Sequence, residues 1–255
     1  IINQYPAEDV YASRKKIHFF LERIRQYMEN CQPNPKILDF GCGNGITLSQ
    51  YIIKEGIDYV GVDFHKPSLE YARENFGTEH ARFLSSIPKN EKFDIIIYSE
   101  VLEHLENPAG ILKLHSSSLK AGGFVLGSVP NGFGLTEIEK YVDQKLRLYK
   151  IIRGMWRFLG GGNKPPVKEE VPYNYESGHI QFFTLSTLEM AANEAGYELT
   201  EVRNGSVMGA DLSGATILKF KTLIKLNTKI ADYLPSWAAA TWHFVLYIQQ
   251  EKDGT

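Results

Sequence analysis

The chain has 255 residues, 43% of them hydrophobic and 23% charged, with a formal net charge of −2 at pH 7. That length fits one α/β domain with an insertion, or two small domains, and it can bury a sizeable core without covalent staples. The near-neutral balance gives no overall bias toward polyanions, and the only two cysteines, Cys31 and Cys42, exclude a disulfide framework and a Cys-rich zinc site while fitting a reducing cytosol.

The amino-terminal stretch IINQYPAEDVYASRKK is polar and has no secretory apolar core. No apolar run reaches membrane-spanning length, so a cytoplasmic chain without a transmembrane segment is expected. Ile17, Phe20, Leu21, Ile24 and Met28 recur at helical spacing and predict a helix over 10–30, within a leading segment 1–32. The prolines of QPNP end it.

Strand and helix patterns then alternate. Ile37–Phe40 reads as a strand, Ile46–Glu55 as a helix stopped by Gly56, and YVGVDF as a second strand. Pro67–Phe76 reads as a helix whose proline suits the first turn. ARFLSS is a third strand, and FDIIIYSE is a continuous apolar run, expected of a central strand covered on both faces. Residues 107–123 read as a helix stopped by Gly122 and Gly123, and FVLGSVPN as the fifth strand. This rhythm predicts an α/β fold with a doubly wound, mostly parallel, Rossmann-like sheet.

Residues 132–177 interrupt the rhythm and read as an insertion after the fifth strand. A basic and aromatic helical segment runs from Tyr141 to Leu159, followed by GGGNKPP and a piece carrying Tyr173 and Tyr175. Three readings stand: a lid over an apolar acceptor, a helix in peripheral contact with a membrane surface, or a helix packed on one face with solvated basic residues opposite. Thr187–Ala195 resumes a helix, and ELTEVRN and HFVLYIQQ read as two late strands. The ground between those strands carries no clear pattern.

The stretch KILDFGCGNGITL places Gly41, Gly43 and Gly45 directly after the first sheet strand. Glycine there costs backbone entropy, so something must approach the main chain closely. In open α/β sheets that position faces the ligand crevice. A dinucleotide loop reads G-x-G-x-x-G; this one is a residue tighter and is preceded by Asp39. S-adenosylmethionine (SAM) is the other candidate. A carboxylate at Asp39 would face its ammonium, and Asp63, ending the second strand, would accept hydrogen bonds from both ribose hydroxyls. Phe64 would flank the adenine. A plain strand-to-helix turn is the third reading. Cys42 reads as a small loop filler.

In order along the chain, ILDFGCGNG, VGVDF, FDIIIYSEVLEHLENP, LKAGGFVLGSVPN and GHIQFFTLSTLEMAANEAGYEL resemble class I SAM-dependent methyltransferases. The likeness is to the branch that includes ubiquinone-biosynthesis O-methyltransferases, and it covers roughly residues 30–205. The resemblance implies one methyltransferase domain with a seven-stranded sheet whose final strand is antiparallel. It implies SAM as cofactor and S-adenosylhomocysteine as by-product. It puts Asp39, Gly41, Gly43 and Gly45 on the methionine side, Asp63 on the ribose, Ser85 or Ser86 near adenine, and Ser99 and Glu100 by the sulfonium. It offers Arg14 to the cofactor's carboxylate. No Asn/Asp-Pro-Pro-Tyr/Phe motif follows the fourth strand, so a small-molecule acceptor is expected rather than nucleic acid. The oligomeric state is left open.

Methyl transfer needs little beyond positioning, but a hydroxyl acceptor gains from losing its proton to a base or a metal. In EVLEHL, a helix would put Glu100, Glu103 and His104 on one face. His104 as general base, the trio as a divalent-cation site, and a purely structural trio are all consistent with it; no metal is expected. His179, in SGHIQFFT, is the second candidate for a base or substrate contact, against a loop-anchoring hydrogen bond.

Overall fold

The computed structural model describes residues 12–146, 178–209 and 220–249, together with Ile151, Gly154, Val171, Pro172, Ser213 and Leu218. Its strands are β1 (Lys36–Phe40), β2 (Asp58–Val62), β3 (Ala81–Leu84), β4 (Phe93–Ser99), β5 (Leu119–Pro130), β6 (Tyr197–Asn204) and β7 (Thr241–Ile248). They form one seven-stranded sheet in the order β3-β2-β1-β4-β5-β7-β6. Neighbours are parallel from β3 to β5, and β7 runs antiparallel to both β5 and β6. The doubly wound sheet with one antiparallel strand is therefore as expected. Strand order reverses between β1 and β4, which opens the crevice at their carboxyl ends.

The helices are α1 (Ser13–Asn30), α2 (Ser49–Ile52), α3 (Lys66–Phe76), α4 (Pro108–Ser116), α5 (Leu135–Leu146), α6 (Leu185–Glu194) and α7 (Lys221–Ile230). Side chains alternate across a strand, so β1 and β4 each feed two cores. Ile37, Ile95 and Ile97 join Phe124 and Tyr59 in one core, where α1 inserts Ile17, Phe20, Leu21 and Ile24. Leu38, Ile96 and Tyr98 face the other way, onto Leu112 of α4 and Leu188 of α6. Each fully buried aliphatic side chain of this kind contributes about 1.5–3 kcal/mol.

Three elements depart from the sequence pattern. The helix expected over Ile46–Glu55 is only the single turn α2, followed by a 3-10 turn at Ile53–Glu55. The Asn44 side chain accepts from the Ile46 backbone N–H at 3.1 Å, a local bond that competes with helix formation. The helix expected over 107–123 ends at Ser116. There Ser116 and Ser117 donate their hydroxyls back to the carbonyls of Lys113 and Leu114, and Gly122 and Gly123 lie inside β5. Third, EVLEHL is not an α-helix. It holds one 3-10 turn, Leu102–His104, so Glu100, Glu103 and His104 do not share a helix face.

The helix expected from Tyr141 begins earlier, at Leu135 in α5. Beyond Leu146 that segment lies outside the described residues, Ile151 and Gly154 excepted, as do Tyr173 and Tyr175. The unpatterned stretch before β7 supplies α7. Its buried Asn227 exchanges two hydrogen bonds of 2.9 Å with the Met208 backbone, so a polar residue docks the helix. Among the described residues no helix is long and apolar enough to cross a membrane.

Candidate active site

Gly41, Gly43 and Gly45 have φ of 81°, 57° and 78°, the left-handed region where side chains are strained. At Gly41 an added Cβ would stand 2.5 Å from Val101 Cγ2, and at Gly45 2.8 Å from Phe76 Cδ2. Those two glycines let the loop pack under its own fold. Gly43 differs: nothing lies within 4 Å of the added Cβ, so its bare backbone faces open space. The loop is tied to β2 by Gly41 and Cys42 donating to the Val62 carbonyl at 2.7 and 3.1 Å.

Asp63 accepts from the backbone N–H groups of Gly43 and His65, both at 2.8 Å. Its carboxylate thus joins the end of β2 to the glycine loop. Phe64 beside it is 78% exposed, and Ser85 and Ser86 are exposed just past β3. Cys42 is buried, and burial pushes its thiol well above the usual range, as suits a loop filler.

Asp39 is buried at the end of β1. The Tyr59 hydroxyl donates to its Oδ2 at 2.6 Å and lies 2.6 Å from Ser49 Oγ. Its Oδ1 is buried without a hydrogen-bond partner. Burial, with the charge of Asp63 adding to it, pushes the Asp39 carboxyl up to about 6. An orphaned carboxylate oxygen beneath a glycine loop open at Gly43 fits a cationic ligand group lying on that loop. It gives no reason for a phosphate.

On the other side of the switch point, β4 ends in Ser99 and the chain turns at Glu100, whose φ of 56° is left-handed for a non-glycine residue. Such strain costs on the order of 1 kcal/mol and marks a position the surroundings over-determine. Ser99 Oγ stands 3.5 Å from Ser128 Oγ, and the Glu100 N–H donates to the Ser128 carbonyl at 3.0 Å. The turn carries Glu103 inward, to zero exposure, with neither carboxylate oxygen hydrogen-bonded. Burial, and then the charge of Glu100, push its carboxyl well above the ordinary range.

The segment after the insertion comes back to this turn. Ile180 and Gln181 donate their N–H groups to the Glu103 carbonyl at 2.8 and 2.9 Å, and Gly132 donates to the Phe183 carbonyl at 2.8 Å. His104 Nδ1 lies 3.0 Å from the Gly178 carbonyl oxygen, which can only accept. Nδ1 therefore carries the proton, and Nε2 keeps its lone pair in the neutral ring. The rings of His104 and His179 meet edge-on with centroids 5.0 Å apart. Among the described residues, Glu103, His104 and His179 bring one ligand atom each to within 4.8 Å of one another. So the fold brings His179 to His104, 75 positions away, and keeps Glu103, named beside His104 from sequence, with them.

Two sequence expectations need correction. Glu100 is not the third member of that cluster, because it leans instead toward Lys16 Nζ at 3.7 Å. Arg14 lies on the outer face of α1, lining a groove with Lys15, His18 and α7, whereas Lys16 is the cation of α1 that reaches the crevice. The signal for Lys16 was its place one residue before Ile17, at the edge of the buried stripe of α1. The far end of the insertion also reaches the crevice: Asn44 Nδ2 and Ser68 Oγ donate to the Pro172 carbonyl at 2.9 and 3.3 Å.

The methyltransferase domain family model matches residues 10–202. The ubiquinone biosynthesis O-methyltransferase of Aliivibrio fischeri (strain MJ11) is 32% identical over 119 residues, 43% of this chain and 50% of that protein. Its namesake from Acinetobacter baylyi is 33% identical over 105 residues, 38% of this chain and 44% of the relative. The chain thus spans about half the length of the curated relatives it matches. Among solved structures, an S-adenosylmethionine-dependent methyltransferase from Clostridium acetobutylicum superposes with a TM-score of 0.55 at 13% identity, covering 92% of each chain.

Proposed function

This chain belongs to the methyltransferase domain family, as a class I SAM-dependent member, and on that premise we propose that it methylates an oxygen of a small-molecule acceptor in the cytoplasm. The observation that carries the reading is the pairing across one crevice. A glycine loop over an orphaned carboxylate stands on one side, and a carboxylate–imidazole cluster stands on the other. The ubiquinone-type relatives, named as O-methyltransferases, support oxygen as the acceptor atom.

SAM supplies an activated methyl group and leaves as S-adenosylhomocysteine. Gly41, Gly43 and Gly45 cradle its amino-acid end, where Asp39 Oδ1 meets the ammonium and Lys16 the carboxylate. Asp63 keeps lone pairs for the ribose hydroxyls beside the two backbone donors it already holds. Phe64 and Ser85 flank the base, and Ser99 and Glu100 line the sulfonium side. The insertion 132–177 is assigned here as the lid of the acceptor site, a reading supported by its Pro172 carbonyl, which accepts from Asn44 and Ser68. His104 and His179 stand at the acceptor end. Their work is to favour loss of the acceptor's proton, which turns a weak hydroxyl nucleophile into a strong one.

Titration with SAM and with NAD(H), followed by turnover of methyl-labelled SAM against phenol, sugar-hydroxyl and carboxylate acceptors, tests the reading. Binding of SAM alone and label on an acceptor oxygen are expected. Binding of NAD(H) without SAM, or label only on nitrogen or carbon, overturns it.

A further inference from the structure

We propose that helix α7 and the turns that follow it, as far as Trp237, dock this protein on an anionic phospholipid surface. The docking face is separate from the crevice and does not rest on the O-methyltransferase reading. It also lies beyond residues 10–202, the stretch that matches the family model.

Two unlike stripes run side by side along the outside of α7. Lys221, Lys225 and Lys229 recur every fourth residue and so share one face. The helix contains no acidic residue, and among the described residues no carboxylate pairs with these three lysines. Beside them, Leu226 and Ile230 are 48% and 41% exposed. A basic stripe next to an apolar one is the pattern of a helix lying in a headgroup layer. The basic charge is local, since the whole chain is at −2. It continues into a groove of about 460 Å³ between α1 and α7, where Lys225 and Lys229 join Arg14, Lys15 and His18. Asp232 is the acid lining that groove, and Lys15 already holds it.

After the helix come aromatic rings on a fixed main chain. Tyr233 and Trp237 are exposed. Yet Asn204 Nδ2 donates to the carbonyls of Ala231 and Leu234 at 2.8 and 2.9 Å, and Trp242 Nε1 donates to the Ser236 carbonyl at 2.7 Å. Buried Asn131 ties in a third exposed ring: its Oδ1 accepts from the Phe133 N–H at 3.1 Å, and its Nδ2 donates to the Trp237 carbonyl at 2.8 Å. Rings held outward in this way, continuous with Leu226 and Ile230, make an apolar surface of the kind that marks an interaction site. Tyrosine and tryptophan suit a boundary with one apolar and one wet side. A second copy of the chain fits poorly, because a two-fold pairing through this face sets one lysine stripe against the other. A polyphosphate gains nothing from Leu226 and Ile230. An anionic bilayer meets both stripes, with its phosphates on the lysines and its acyl boundary under the aliphatic and aromatic side chains.

The test uses the full chain with vesicles of phosphatidylcholine alone and of equal parts phosphatidylcholine and phosphatidylglycerol. Cosedimentation with the anionic vesicles only, falling as salt is raised, is expected. The triple variant Lys221→Gln, Lys225→Gln, Lys229→Gln should weaken it by roughly 100-fold, about fivefold per cation, while SAM affinity stays within about twofold. Brominated acyl chains should quench tryptophan emission; Trp237→Phe should remove that quenching, and Trp156→Phe should keep it. No cosedimentation, equal binding to neutral vesicles, quenching that survives Trp237→Phe, or a triple variant that binds as wild type does overturns the proposal. So does self-association in solution that the triple variant abolishes, without any binding to vesicles.

Discussion

Along the β1–β2 side of the crevice, the half proposed for the cofactor is held by its main chain. Left-handed glycines, backbone donors to Val62 and the Asp63 carboxylate on two N–H groups shape the loop within 25 residues of sequence, from Asp39 to Asp63. Along the β4 side, the half proposed for the acceptor is held by contacts that cross the chain. Its carboxylate and one imidazole come from the turn at Leu102–His104, and the other imidazole comes from the segment that returns after the insertion. A backbone-built site tolerates little substitution but is local. A side-chain-built site depends on a distant segment being delivered to it, so its residues can be exchanged without unmaking the fold.

The sharpest way to break the contrast is at Gly41. Gly41→Val forces a branched side chain into Val101 at a left-handed φ, adding overlap to about 1–2 kcal/mol of backbone strain. Loss of measurable SAM binding and a marked drop in Tm are expected. Gly43→Ala meets open space, so it should cost only that strain in stability while still weakening SAM. Equal stability loss in the two variants would show that the loop is not packed as described.

On the acceptor side, His104→Ala should lower turnover by about 10²-fold while SAM affinity stays within about twofold, because the ring bonds to Gly178 and packs on His179 rather than on the glycine loop. Single-turnover assays with parallel calorimetry check it. A matching fall in SAM affinity would mean that the two halves are not separable.

A gentler test uses pH. The Asp39 carboxyl sits at about 6 when folded against an ordinary 3.8, so the folded state binds its proton more tightly than the unfolded chain. The group therefore costs nothing below its unfolded value. Its cost grows as pH rises from about 4 to 6 and reaches about 3 kcal/mol above that window. Asp39→Asn should remove this slope from urea titrations and be the more stable protein at pH 7. In the wild type, SAM affinity should rise as pH passes about 6, since the ionised carboxylate is the form that meets an ammonium. A flat affinity profile would remove Asp39 from the cofactor site.

The smallest effect belongs to neither half. Glu91 is held down to about 2, first by its hydrogen bonds from Arg82 and then by Lys36. Its contribution is present above the ordinary carboxylate range and fades as pH falls from about 4.5 toward 2. The pair is partly exposed and screened by solvent, so Glu91→Gln should cost about 1 kcal/mol and leave SAM affinity and turnover unchanged.

Much of the glycine loop's geometry was legible before the fold, because glycines directly after a strand and an acid at the next strand's end are local features, and both take the expected place. The alternation of Ile37, Leu38, Ile95, Ile96 and Ile97 likewise announced strands fed into two cores. Where local reading failed, a side chain had overridden the periodicity. Asn44 shortened α2, serines ended α4 early, and the docking of Asn227 hid α7 from any apolar pattern.

The order of apolar and glycine residues was enough to determine a doubly wound sheet and the place of its glycine loop, since both follow from short-range sterics and strand periodicity. Only the tertiary structure decided that Lys16 and not Arg14 reaches the crevice. It alone decided that Glu100 turns away, and that His179 arrives beside His104 over a buried, unpartnered Glu103. Those facts depend on where a returning segment is clamped, and no spacing along the chain encodes the distance between residues that meet only after folding.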